Sequence, residues 1–326
     1  MKRFIITIDT EGDNLWAWNG ADPIRTENAR FLPRFQALCE QYAFKPVWLT
    51  NYEMISDPVY VDFVSRAAES GNGEIGMHLH AWNSPPSFDL QKRSEGRAGK
   101  PYLIEYPREV MCEKIAYLTG LIRERTGVAP VSHRAGRWAT DGRYLDILMD
   151  NGYLVDCSAT PLVDWRDMPG YTENARGTDY TRVPPAAHFV PHGSRDARIL
   201  EVPVTIRKTH RFIAPDAPSP RAFLGSVKRA VQARPIWLRP DGHNENRMRW
   251  LVKNVAASSA AYLMFMLHSS ELMPGGSPLF RTEDQIDDLY RCLRALFDEI
   301  AENFTGVTLA DFYHEVDGSD ADRKGK

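Results

Sequence analysis

Cysteine is scarce in this chain of 326 residues: Cys39, Cys112, Cys157 and Cys292 stand far apart, with no Cys-x-x-Cys pair. That spacing argues against a zinc ribbon, a dithiol site or a disulfide framework. Long hydrophobic runs are also lacking. No stretch approaches the roughly 20 apolar residues that a bilayer span needs. The apolar run Phe4–Ile8 is too short for a secretory leader and has no small-residue cleavage site after it. A cytoplasmic protein with reduced thiols and no transmembrane segment is therefore expected. Charge of one sign is missing as well. Forty Lys and Arg stand against 43 Asp and Glu, and no nucleic-acid motif accompanies them, so no nucleic-acid partner is expected. Neither internal repeats nor low-complexity tracts occur.

What is present is enough for a large core: 43% of the residues are hydrophobic. Strand patterns and helix patterns alternate along the chain. Strands are predicted at Phe4–Ile8, Pro46–Thr50, Glu74–His80, Val131–Arg134, Tyr153–Asp156, Ile199–Ile206 and Tyr262–Leu267. Helices are predicted at Glu27–Tyr42, from Asp57-Pro58 to Glu69, and at Arg108–Thr126, Asp141–Asn151 and Glu283–Asn303, with a long polar loop over 81–106. Such alternation argues for a parallel sheet, whose active residues gather at the C-terminal ends of the strands. Residues 159–256 break the rhythm and read as an irregular Pro- and Arg-rich insertion in a single domain of residues 1–316, followed by a polar tail over 317–326 that is expected to be disordered. From Arg207 to Lys253 there are eleven Lys or Arg and three acids.

Four clusters could carry chemistry. The first is Asp9-Thr10-Glu11-Gly12-Asp13, where alternate residues of an extended chain share a face, so that the carboxylates converge on a cation or form a solvated turn. His78-Leu79-His80 at a strand end points two imidazoles the same way and favours a metal site. Arg134, at the end of the fourth strand, can hold a carboxylate by paired hydrogen bonds or lie on the surface. His268 leaves an apolar strand as a third ligand or a general acid, with Glu271 to steer it or to cap the next segment.

In order and spacing these segments resemble the motifs of the polysaccharide deacetylase superfamily, also called the NodB homology family and carbohydrate esterase 4-like. The resemblance is greatest to the branch associated with lipopolysaccharide, O-antigen and surface polysaccharide biosynthesis. It spans roughly residues 4–315. It implies a distorted (β/α)7-type barrel. By the match to the first motif, Asp9 is the general base and Glu11 a metal ligand, with Asp13 a rival ligand. In the second motif, usually His-x-x-x-His, Trp82 stands at the second His position and the chain offers His80 beside His78. Arg134 matches the third motif, and Asp156-Cys157-Ser158 the fourth, whose acid orients the catalytic His. Leu267-His268 matches the fifth, whose His protonates the leaving amine.

The resemblance implies one divalent metal ion, zinc first among the choices, and hydrolysis of an N-acyl group on a sugar of a surface polysaccharide or of its nucleotide- or lipid-linked precursor. Trp16, Trp18, Trp82 and Trp138 lie near the motif loops and are candidates to stack on the sugar, with Glu271 a further candidate for substrate contact. The basic excess of 207–253 suggests a substrate with an anionic carrier group, or a solvated surface. Two other readings compete. One is a glycoside hydrolase that draws a carboxylate pair from Asp9, Glu11, Asp13 and Glu271. The other is an inactive sugar-binding protein.

Overall fold

A computed structural model describes residues 1–17, 22–87, 99–217 and 219–324. Its strands, in chain order, are β1 (Lys2–Thr10), β2 (Pro46–Thr50), β3 (Glu74–Leu79), β4 (Ser132–Ala135), β5 (Val155–Asp156), β6 (His188–Pro191), β7 (Arg198–Glu201), β8 (Ile206–Arg207), β9 (Ile236–Trp237), β10 (Tyr262–His268) and β11 (Phe304–Gly306). The main sheet runs β10-β1-β2-β3-β4-β5-β7-β6. Seven of these strands are parallel neighbours, and β6 adds an antiparallel edge on β7. β11 pairs with the lower end of β1. Helices cover the outside, and the result is the distorted (β/α)7-type barrel.

The barrel does not close with a regular ladder. Pro203 lies where the sequence predicts a continuous strand over Ile199–Ile206, and proline cannot donate to a ladder. The strand breaks into β7 and β8 there. The free side of β10 is instead met by single bonds: Tyr262 Oη donates to the Pro203 carbonyl at 2.6 Å, Met264 N to Thr205 Oγ1 at 2.8 Å and Met266 N to the Leu238 carbonyl at 3.2 Å.

Strand periodicity sorts the core into two layers. Phe4, Ile6 and Ile8 face outward and pack with Phe35, Trp48, Phe265 and Phe297 beneath the helices. Ile5 faces inward with Val47, Leu49, Leu200, Met264 and Met266. The same alternation sends Thr7 and Asp9 of β1, and His268 of β10, to the inner face. The outer helices follow ordinary rules. Asp57 caps Pro58–Glu69 through the Val59 N–H, with Pro58 at a permitted first position. Thr282 and Gln285 form a capping box for Glu283–Ala301.

Three expectations change. The helix expected at Glu27–Tyr42 is a 3-10 turn, Glu27–Phe31, followed by an α-helix, Leu32–Glu40. The 159–256 region is not one insertion, because it supplies β7 to the sheet and the helix Glu245–Ala256, which packs on Glu283–Ala301 and β10. The polar tail is covered by a final helix, Leu309–Lys324, where disorder was expected from 317. Ala310, Phe312 and their neighbours start that helix in good register, and nothing in 317–324 is a strong breaker except Gly318. Among the described residues no helix is long and apolar enough to cross a membrane.

Candidate active site

Strand ends bring the charged residues to one mouth of the barrel. β1 and β10 are neighbours in register, with Asp9 opposite His268, so the first and last inner strands meet at the site. Asp9 is buried, and its Oδ1 accepts from Arg134 Nη1 at 2.6 Å. Arg134 is fully buried and every nitrogen is used: Nε donates to the Cys157 carbonyl at 3.1 Å and Nη2 to Thr7 Oγ1 at 2.9 Å. Burial works to raise the Asp9 pKa, but Arg134, with His78 and His268, outweighs it and holds the carboxyl below its ordinary range.

Glu11 lies just beyond β1 and faces both imidazoles of the His-x-His pair. Its Oε2 is 3.5 Å from His78 Nε2 and 3.0 Å from His80 Nε2. Burial opposes its ionisation, and His268 and His80 overcome that, so its pKa lies well below the usual value. The ligand atoms of Glu11, His78 and His80 all lie within 4.8 Å of one another, and all three residues are buried. His78 Nδ1 meets the Arg134 carbonyl at 2.9 Å, a bond that places the ring proton on Nδ1 and leaves Nε2 as a free donor of electrons. Two imidazole nitrogens and a carboxylate oxygen, converging from buried positions, are a donor set that fits a divalent ion of the zinc type. Burial dominates His80, whose pKa falls to about 4, so it is a neutral ring near neutral pH.

Backbone clamps fix this geometry. Ser269, in the turn after β10, bonds both the N–H and the carbonyl of Glu11, and Asn28 Nδ2 donates to the same carbonyl at 2.7 Å. Gly136 leaves room for His80: a Cβ there would stand 2.5 Å from its Cδ2 and 2.6 Å from the Leu79 carbonyl. Arg137 and Trp138, which follow, both hold positive φ (55° and 61°), an uncommon conformation for residues with bulky side chains.

Several expected residues sit elsewhere than foreseen. Asp13 is buried beside the group but turned away from it: Oδ2 accepts the Glu27 N–H at 2.8 Å and Oδ1 lies 3.4 Å from Arg25 Nε. Asp156 does not reach His268. Its carboxylate binds His133 Nδ1 of the neighbouring β4 at 2.6 Å and Ser158 Oγ at 2.8 Å. The group beside His268 is Glu271, whose Oε2 is 3.2 Å from His268 Nδ1 and accepts its N–H at 2.8 Å. Glu271 therefore both caps the turn and steers the ring. It is fully buried and its other oxygen accepts from Arg239 Nη2 at 2.8 Å, so it has no free face for substrate. His268 Nε2 points into the mouth, 3.9 Å from both Asp9 Oδ2 and Glu11 Oε1.

These groups open into a cavity of about 460 Å³, walled by Trp16, Trp82, Tyr102, Trp138, Trp165 and Arg239 among others. Trp82 stacks on His80 (4.1 Å, 21°), and Trp16 meets His268 edge-on at 4.9 Å. Trp18 lies outside the described residues. Sequence reasoning missed Arg239, which arrives from the irregular region, and Glu53. Glu53 follows β2 at the same end of the barrel, so the strand-end rule that selected the other groups would have found it. It is buried, accepts from Gly12 N and Asn83 Nδ2 at 3.0 and 2.7 Å, and burial pushes its pKa up to about 7.

The fold and its buried polar mouth define an α/β barrel of the (β/α)7 kind. Among solved structures the chain is similar to a provisionally assigned polysaccharide deacetylase from Mycobacterium smegmatis, at 12% identity over 98% of this chain and 92% of that one, with a TM-score of 0.53. It is also similar to a 4-alpha-glucanotransferase from Thermococcus litoralis, at 13% identity over 97% of this chain and 40% of that one, with the same TM-score. At such identities the likeness is one of fold. No protein-family model and no curated sequence matches the chain.

Proposed function

We propose that the chain is a metal-dependent hydrolase that removes an N-acyl group, acetyl first, from a sugar of a surface polysaccharide or of its nucleotide- or lipid-linked precursor, acting in the cytoplasm. The observation that carries this reading is the placement of Asp9 and His268 on adjacent strands, on two sides of the Glu11–His78–His80 group, in one aromatic-walled cavity.

A divalent ion held by Glu11, His78 and His80, zinc in our reading, would polarise the acyl carbonyl and lower the pKa of the attacking water. The chain's own groups do the rest. Asp9 is kept ionised by Arg134, with Oδ2 left free to take a proton from that water. His268 holds its Nδ1 proton against Glu271, so a second proton, carried on Nε2 of the doubly protonated ring, is the one passed to the departing nitrogen, and the ring is left neutral. Arg134, locked by four acceptors, holds Asp9 in place rather than touching substrate. Trp82, one face of which is stacked on His80, and Trp138 line the wall against which the sugar ring would rest. Arg239, on the same wall, suits an anionic group on the substrate.

A glycoside hydrolase needs two carboxylates free to face the scissile bond. Here Asp9 is tied to Arg134 and Glu11 to a histidine pair that such chemistry would leave idle. The test is release of acetate or formate from a panel of N-acylated nucleotide sugars and lipid-linked glycans, with metal added or chelated. Release that stops on chelation and returns with one equivalent of ion supports the reading. Reducing-end release without acyl loss, or acyl loss indifferent to chelator, overturns it.

A further inference from the structure

We propose that the helix Pro220–Gln232 is a docking element for an anionic lipid surface. The helix wears its amphipathicity inside out. Ser219 caps it through the Ala222 N–H. Ala222, Ser226 and Ala230, all small, form its inward side, and among them only Ser226 is buried. Phe223, Leu224, Val227 and Val231 recur at helical spacing on the outward side. Leu224 is 67% exposed and Val231 71%, the largest values for any leucine or valine in the described residues. Phe212, from the segment before the helix, joins them, with its ring 5.3 Å from that of Phe223. Five of the exposed large apolar side chains thus lie within twenty residues of one another. A chain gains by burying such a stripe, and here it is left in water.

Charge identifies the occupant. Residues 207–234 contain seven Lys or Arg and a single acid, Asp216, which is occupied in capping the next helix through the N–H groups of Glu245 and Asn246. Among the described residues, Lys208, Arg211, Arg221, Lys228, Arg229 and Arg234 make no ion pair. Arg211, Arg229, Arg234 and Arg247 gather round one small hollow behind the helix. Burial, and then the charges of Arg247 and Arg234, lower the Arg229 pKa against a smaller opposing pull from Asp241, which pairs with Arg247 at 3.6 Å. Apolar side chains flanked by unpaired cations are what a bilayer with acidic headgroups receives: the side chains enter the acyl boundary and the cations meet phosphates. A protein partner would have to offer a hydrophobic groove rimmed by acids, a more particular requirement.

The excursion that carries this helix is closed at its base by the antiparallel pair β8–β9. The chain then passes directly to Trp237, which touches Trp138 and Trp165 of the cavity wall, and to Arg239 inside it. A lipid surface bound by the helix would therefore lie next to the mouth of the site. The proposal does not depend on the reaction assigned to that site.

The experiment is co-sedimentation of the full chain with vesicles of phosphatidylcholine alone and with about 30% of the anionic lipid phosphatidylglycerol added, at low and high salt. We expect binding to the anionic vesicles that weakens with salt, and little to the neutral ones. The double variant L224S/V231S should weaken binding at least about tenfold with an unchanged thermal midpoint, since both side chains are exposed in the free protein. The reverse-charge variant R211E/K228E should do the same. Failure to bind anionic vesicles, or binding indifferent to both variants, overturns the proposal. So does a dimer in lipid-free solution that L224S/V231S dissolves, because the stripe would then belong to a second copy of the chain.

Discussion

At the scale of single residues, the buried Asp9–Arg134 pair bears on both stability and the proposed chemistry. Removing one partner leaves a buried charge uncompensated, an effect of about 3–5 kcal/mol. Both variants should therefore lower the urea midpoint, Arg134→Ala more because it also removes the bonds to Cys157 and Thr7 and leaves a cavity, while Asp9→Asn, which keeps shape and a hydrogen bond, should reduce kcat about a hundredfold or more. Equal loss of stability in the two variants would count against this division. Glu53 makes a prediction of opposite pH sense. Its folded pKa is raised to about 7 against an unfolded value near 4.3. Its protonated form is thus favoured by folding, with the stabilisation complete below the unfolded value and lost as pH rises through 7. An amide flip that turns Asn83 Oδ1, otherwise without a partner, toward Glu53 would accept that proton. Glu53→Gln should accordingly flatten the fall in stability between about pH 4.5 and 7.5, measured by urea unfolding with chelator present. A wild-type and variant that decline in parallel would refute the assignment.

At the scale of elements, the legible parts were those whose burial pattern is local. Pro46–Thr50, Pro58–Glu69 and Arg108–Thr126 begin and end where the sequence predicts. Each has an apolar period and a stop signal of its own, such as Gly127 in the left-handed conformation after the long helix. β6, β9 and β11 were missed because two to four residues carry no period; they are strands only because a neighbour pairs with them. The helix Pro220–Gln232 was passed over because its apolar residues stand among prolines and arginines. In the site, Asp9, Glu11, His78, His80, Arg134 and His268 were readable from strand ends. The partner of His268 was not, since Asp156 and Glu271 are both acids near strand ends and only the register shows which one reaches the ring. The turn after β4 offers a test at this scale. Gly136→Ala would force its methyl into His80 and the Leu79 carbonyl. We expect a loss of about 1–3 kcal/mol and a larger loss of metal affinity than of stability. Calorimetric metal titration beside urea unfolding separates the two, and an intact affinity in a destabilised protein would contradict the expectation.

At the scale of the whole molecule, an ion held at the ends of β1 and β3 would tie those strands together across β2. Binding to the folded chain alone raises stability by about 4 kcal/mol when free ion is 1,000 times its Kd. Saturating zinc should therefore raise the thermal midpoint by several degrees, EDTA should reverse the rise, and His78→Ala or His80→Ala should abolish it. A midpoint blind to zinc in the wild type would remove the metal site.

The position of β1 has a further consequence, one of time. Of the strands described this one is made before the others, yet it lies between β10 and β2, with β11 at its foot. For more than 250 residues of synthesis one of its edges has nothing to pair with. Contacts so distant in sequence form slowly, and a nascent chain with an open hydrophobic edge is exposed to wrong partners while it waits. Asp9 and His268 sit at the two ends of that wait. Any chain that stops before residue 268 carries half of the pair and an unfinished barrel, so activity should appear late and all at once during translation rather than grow with length.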